Sequence, residues 1–336
     1  VAPSREEAKT KILEAPTTAN VTTSESGNMH TASSAEYVVG EIKNHKLGFA
    51  VGSIVLLAIL GFGYWFLAKS PDNSNTSLNV PAAAPAPKSK SKLYWQMTET
   101  VQLAFILERA RHIQTLIGDE PTEFNEEELR AIKVEIDDYV EEKDSLSQKP
   151  FEEGLRVIYG RASQYAPLVI RAYEARRVPP ALGIYQAMIE SEYHDCLISE
   201  TGPVGLFQFS RKTAAKYGLK PKDYCDVEKQ SDAAARYMSD LSSDFGDGKS
   251  SATLGLLGFM IGEDKPREYL RQLRGRGVTE RSFWAIFRYQ QNLQPPLSSD
   301  GKLYVPRFFA VAIIGETPEV FELFTLPLST LREIGK

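Results

Sequence analysis

The stretch MIESEYHDCLISETGPVGLFQFSRKTAAKYGL, Met188 to Leu219, holds the residues best suited to chemistry. Glu190 follows Met188 and Ile189 near the end of an apolar run that begins at Pro179-Pro180. A carboxyl set among apolar side chains loses hydration, which disfavours its ionised form and raises its pKa. A general acid needs that environment, because it must still hold a proton near neutral pH. Glu192, two residues on, faces another way on a helix, and Asp195 lies past the expected helix end. No second carboxylate pairs with Glu190 as an ordinary glycosidase requires. A lone Glu on a helix is usually a solvated surface residue, so the surrounding pattern must carry the argument.

That pattern is GPVGLFQF. Gly202 and Gly205 bracket a Pro-Val step and permit a tight turn with close approach of backbone to a ligand. Leu206, Phe207 and Phe209 read as core or groove lining, while Gln208 puts an amide among apolar neighbours. A buried amide needs partners; a backbone group or the N-acetyl group of a sugar would serve.

Taken in order, Glu190-Ser191, the aromatic Tyr193, Ser199, Gly202, the run Gly205-Leu206-Phe207-Gln208-Phe209 and Thr213 resemble the signature of lytic transglycosylases. Three further segments, RVPPALGIYQAMIES, SDAAARYMSDLSSDFGD and YVPRFFAVAII, resemble the membrane-bound lytic transglycosylase D group. The resemblance runs from Phe151 to Glu322. It implies a lysozyme-like SLT domain and a mechanism with a single carboxyl. Glu190 would protonate the glycosidic oxygen between N-acetylmuramic acid and N-acetylglucosamine, then act as base on the muramic 6-hydroxyl to give a 1,6-anhydro product. Ser191 and Ser199 would support Glu190 and the sugar. Gln208 and Tyr304 would line the saccharide groove, with Gly205, Leu206 and Phe259 also against substrate. The partner so implied is the peptidoglycan glycan strand, with no cofactor and no metal.

One segment departs from that family. Where the family shows Ala-Tyr-Asn-Ala-Gly, this chain reads Gly258-Phe259-Met260-Ile261-Gly262, with Glu263 and Tyr269 nearby as compensating groups. A phenol hydroxyl and an amide give way to apolar groups, and losing polar contacts to substrate costs on the order of a hundredfold in rate. Two functions follow. The first is an enzyme that cleaves glycan strands, favoured by the intact Glu190–Gln208 block. The second is a catalytically impaired peptidoglycan-binding sensor, favoured by the altered run.

The elements that must position these residues are helical. LYWQMTETVQLAFILERARHIQTLI shows apolar residues at three- and four-residue spacing, and NEEELRAIKVEIDDYVEEK gives a second amphipathic helix with acidic residues in its first turn. FEEGLRVIYGRASQYAPLVIRAYEARRV, ALGIYQAMIESEY, SRKTAAKYGL, SDAAARYMSDLSSDF and ATLGLLGFMIG continue the pattern. The class is therefore all-α, with a helical extension at 93–150 and the transglycosylase-like domain at 151–325. Cys196 and Cys225 pair as a disulfide or stay as two buried thiols; spacing alone leaves both open.

The first 92 residues are of another kind. Leu47 to Ala68 reads LGFAVGSIVLLAILGFGYWFLA, without one charge, and as a helix it spans roughly 33 Å, enough for a hydrocarbon core. Tyr64 and Trp65 suit an interfacial anchor, and Lys43 and Lys46 on the preceding flank place residues 1–46 in the cytoplasm and the C-terminal part outside. The expectation is a single-pass protein of the cytoplasmic membrane with a periplasmic domain. A cleaved signal peptide fits less well, since both its apolar core and its preceding region would be too long. Residues 1–46 read as a disordered tail, and 69–92 as a Pro/Ala/Ser spacer that extends to roughly 70 Å. TASSAEYVVGEIKNHKLG weakly resembles the juxtamembrane region of bacterial transmembrane Ser/Thr kinases, which would put a kinase domain upstream of Val1.

The net charge of −5 argues against a nucleic-acid partner. Four histidines and two cysteines, scattered, do not make a structural zinc site, and no phosphate-binding or dinucleotide fingerprint is present.

Overall fold

A computed structural model describes residues 92–146, 153–198, 202–246 and 249–332. The expected tail at 1–46, the apolar segment at 47–68 and all but the last residue of the spacer lie outside the described residues. No helix among the described residues is long and apolar enough to cross a membrane.

The architecture is all-α, as the periodicity implies. The helices are α1 (Glu99–Leu116), α2 (Glu126–Leu146), α3 (Leu155–Ala175), α4 (Pro180–Ser191), α5 (Arg211–Lys216), α6 (Val227–Ser243), α7 (Ser251–Ile261), α8 (Lys265–Gly275), α9 (Phe283–Arg288) and α10 (Ser299–Glu316). Among the described residues there is no strand, only the isolated bridges Ile198 to Val204 and Val204 to Phe209.

The core is built around α10, whose residues from Tyr304 to Gly315 are buried except Arg307. Helices α1, α2, α4 and α7 all pack against it. The N-terminal extension therefore shares its core with the domain it precedes. Arg307 of α10, for example, donates to the nearly buried Glu135 of α2 at 2.8 Å.

Helix α4 is the most buried of the short helices, with every residue from Ala181 to Met188 inside. Pro180 at its first position suits a site where an N–H would be unsatisfied in any case. It stops because Glu192 and Tyr193 both turn left-handed, with φ of 49° and 63°. For residues other than glycine that costs roughly 1–3 kcal/mol each, and several contacts hold the turn. The Arg161 guanidinium donates twice to the Glu192 carbonyl, at 3.0 and 2.8 Å, and Lys143 pairs with the Glu192 carboxylate at 2.8 Å. The buried Tyr193 hydroxyl donates back to the Ile184 carbonyl at 2.9 Å.

The chain then returns beside α4 through a loop pinned by the Cys196–Cys225 disulfide, with Cα atoms 4.4 Å apart. The sequence left that pairing open, and the fold resolves it.

Candidate active site

Glu190 occupies the last turn of α4, where the buried helix emerges at a cleft of about 160 Å³. The end of α7, residues Phe259 to Gly262, forms another wall. Gln208 and Phe209 contribute from the loop, and Ser210 and Thr213 from the start of α5. Tyr237 of α6 adds to the lining. Among the described residues no second carboxylate lines this cleft, and no group of three His, Cys, Asp or Glu is arranged to hold a metal ion.

Burial pushes the Glu190 carboxyl up to about 7, against the pull of a hydrogen bond from Tyr304. That bond runs from the Tyr304 hydroxyl to Glu190 Oε1 at 2.5 Å. The phenol is itself held well above its ordinary pKa, first by burial and then by the Glu190 charge, so it remains a donor. Gln186, one turn before Glu190, also interacts with the Tyr304 hydroxyl and lowers its pKa in part. The carboxyl can thus hold a proton near neutrality, give it up, and find its anion supported by one fixed donor.

Of the substrate-binding residues expected from the sequence, Gln208 and Phe259 share the cleft with Glu190. Gln208 adopts a left-handed φ of 46°, and its amide nitrogen donates to the Leu197 and Gly205 carbonyls at 3.1 and 2.6 Å. Both of its donors are thereby used, which leaves Oε1 as the acceptor offered to a ligand.

Ser191, Gly205, Leu206 and Tyr304 are placed behind the cleft rather than on it. The Ser191 hydroxyl is buried and donates to the Leu206 carbonyl at 2.7 Å, tying the end of α4 to the GLFQF turn. Leu206 is wholly buried, and its N–H donates to Gln230 Oε1 at 2.7 Å. Gly205, at φ +72°, makes the close approach that its sequence context predicts, but to a protein side chain. A Cβ there would stand 2.0 Å from Gln230 Oε1. Tyr304 lies against Glu190 with 6% of its surface exposed. Ser199 falls outside the described residues.

Sequence reasoning missed Gln230. It is fully buried on α6, accepts from Leu206, and donates to the Tyr224 carbonyl at 2.7 Å and the Asp195 carbonyl at 3.3 Å. One amide therefore fixes the turn that carries Gln208 and both segments joined by the disulfide. The signal was available: Gln230 is a polar residue on the buried stripe Val227, Ala234, Tyr237 and Leu241 of an amphipathic helix.

The altered run forms an apolar wall. Phe259 packs against Tyr237 at 5.4 Å, Phe209 at 5.9 Å and, nearly parallel, Tyr304 at 6.4 Å. Its helix is positioned from outside the matched signature. The buried Asp119, in the loop after α1, accepts from the Ala252 and Thr253 N–H groups at 2.8 and 3.1 Å and from the Thr253 hydroxyl at 2.9 Å. A carboxylate at the first turn of a helix satisfies orphan donors and suits the helix dipole. Of the two compensating groups considered, Glu263 pairs with Lys216 at 2.8 Å, and Tyr269 is buried at 3% exposure.

Residues 167–276 match the family model of the Transglycosylase SLT domain. The match begins within α3 and ends just past α8, so it takes in Glu190, Gln208 and the Phe259–Gly262 run but stops short of Tyr304. The lytic transglycosylase resemblance drawn from the sequence is borne out. No curated protein matches the chain.

Proposed function

We propose that this SLT domain is a membrane-anchored peptidoglycan lytic transglycosylase, cleaving the β-1,4 bond between N-acetylmuramic acid and N-acetylglucosamine with 1,6-anhydro product formation. The observation that carries the reading is Glu190, a carboxyl raised to about 7 at a cleft with no carboxylate partner among the described residues.

Protonated Glu190 gives its proton to the glycosidic oxygen as the C1–O bond breaks. Its carboxylate, supported by Tyr304, then takes the proton of the muramic 6-hydroxyl, whose oxygen closes on C1. The proton returns to where it started and no water is consumed, so one carboxyl suffices. Gln208 Oε1 is placed to accept from a sugar N–H or hydroxyl. Charge-free residues 47–68 would hold the protein in the cytoplasmic membrane with the domain in the periplasm, and the spacer at 69–92 would let it reach the wall.

The apolar wall at Phe259–Gly262 favours a second reading, a peptidoglycan-binding sensor of impaired turnover, in the exported half of a transmembrane kinase. One experiment separates the two. The purified full chain and its Glu190→Gln variant are incubated with peptidoglycan, and anhydro-muropeptides are sought by mass spectrometry. Anhydro products from the parent alone support the enzyme. Glycan binding by both with no such product supports the sensor.

A further inference from the structure

Thr213 on α5 and Gly262 after α7 both line the cleft. Just past each of them in the chain stands a group of opposite charge. Lys216 is one turn beyond Thr213 on the same face of α5, and Glu263 directly follows Gly262. Their side chains meet, with Lys216 Nζ at 2.8 Å from Glu263 Oε1, although 47 residues separate them in the chain.

The ammonium also lies 5.9 Å from the ring centre of Tyr237, which lines the cleft, and 5.4 Å from that of Tyr217. Tyr217 and Tyr237 in turn pack at 4.9 Å. The ion pair therefore bridges two segments that line the cleft, at the edge where α5 and the end of α7 meet, with two aromatic rings against the ammonium. A polysaccharide that continued past this edge would have to displace it.

We propose that the Lys216–Glu263 pair closes one end of the saccharide groove, so that the site takes glycan strands by their ends rather than along their length. This deepens the lytic transglycosylase reading and rests on it for the identity of the ligand. The pair is a strap rather than a permanent wall. Both side chains are about half exposed, at 52% and 41%, and exposed ion pairs are weak and screened by salt. High salt or loss of either charge should therefore open the groove to chain interiors.

The test uses the full chain with long glycan strands freed of their peptides, following product size over time. End-directed cleavage releases anhydro-disaccharide from the earliest times while the remaining strands shorten slowly. Lys216→Ala and Glu263→Ala should raise the early ratio of mid-length fragments to disaccharide severalfold. The charge-swapped double variant, Lys216→Glu with Glu263→Lys, should restore the parental ratio. Equal ratios in parent and single variants would overturn the proposal. So would a double variant that stays like the singles.

A parent that releases no anhydro product would sink the enzymatic reading and not this one. In that case the strap is tested by binding stoichiometry on the same strands in the Glu190→Gln background. One protein per strand, rising to several on Lys216→Ala, supports it. An unchanged count, or no strand binding at all, overturns it.

Discussion

The Tyr304 hydroxyl donates to Glu190 Oε1 at 2.5 Å across the junction of α10 and α4. The bond stabilises the carboxylate and so opposes the burial that raises the Glu190 pKa to about 7. Activity that needs the protonated acid should fall as pH rises through that value. In Tyr304→Phe the opposing pull is gone and the falling limb of the pH profile should move upward. Because the anion then lacks its donor in the second half of the reaction, kcat should drop by about tenfold or more. A profile recorded from pH 5 to 9 on both proteins checks the sign. A limb that stays put or moves down would show that the bond does not set the acid.

The same burial has a stability signature. A carboxyl whose folded pKa lies above its unfolded value of about 4.5 contributes stability below that value, and the contribution is lost as pH rises through about 7. Glu190→Gln keeps an acceptor for Tyr304 and has nothing to ionise. At pH 8 it should be more stable than the parent by about 3 kcal/mol. At pH 4, where Glu190 is protonated in either state, the difference should vanish. Denaturant melts at the two pH values measure it.

Gly205 and Gln230 are coupled as backbone and prop. Gly205→Ala adds a Cβ 2.0 Å from Gln230 Oε1 at a φ of +72°, two faults in one place. The expected loss is about 2–4 kcal/mol, with glycan binding impaired because Gln208 rides on the same turn. Gln230→Ala makes room for the methyl but abandons the Leu206 N–H and the Tyr224 and Asp195 carbonyls. The double variant should therefore lose less than the sum of the two singles in thermal melts, since the clash and the prop cannot both be lost.

Much of the scaffold was legible in the sequence. The 3.6-residue periodicity marked α1 to α7 but not α8, α9 or the central α10, and Pro179-Pro180 marked the start of α4. Spacing found Glu190, Gln208 and Phe259, the residues that meet at the cleft. The structure sets Ser191, Gly205 and Leu206 behind the cleft, and because a tight turn and a binding site both favour small residues and free backbone groups, spacing alone does not tell the two apart. Only the packing of Gln230 beneath Gly205 shows that the close approach is internal. The role of Asp119 was likewise out of reach, since no local pattern ties a loop after α1 to a helix that begins at Ser251.

The apolar wall offers the sharpest test of what the altered run costs. Phe259 and Met260 are half-buried at the cleft, where a hydroxyl and an amide would face the ligand directly. In the parent, Glu190 has its supporting donor, but the α7 wall presents no polar side chain along Phe259–Ile261 to orient a sugar. Phe259→Tyr combined with Met260→Asn adds those groups without touching the Tyr304 bond or the strap at Glu263. If missing polar contacts limit turnover, release of anhydro-muropeptides should rise by about ten- to a hundredfold, while thermal stability falls by about 1–2 kcal/mol, mostly from replacing the core-facing Met260 by a smaller polar group. Parental turnover equal to that of the double variant would mean that the wall is not what sets the rate, and would return attention to how the strand enters the groove.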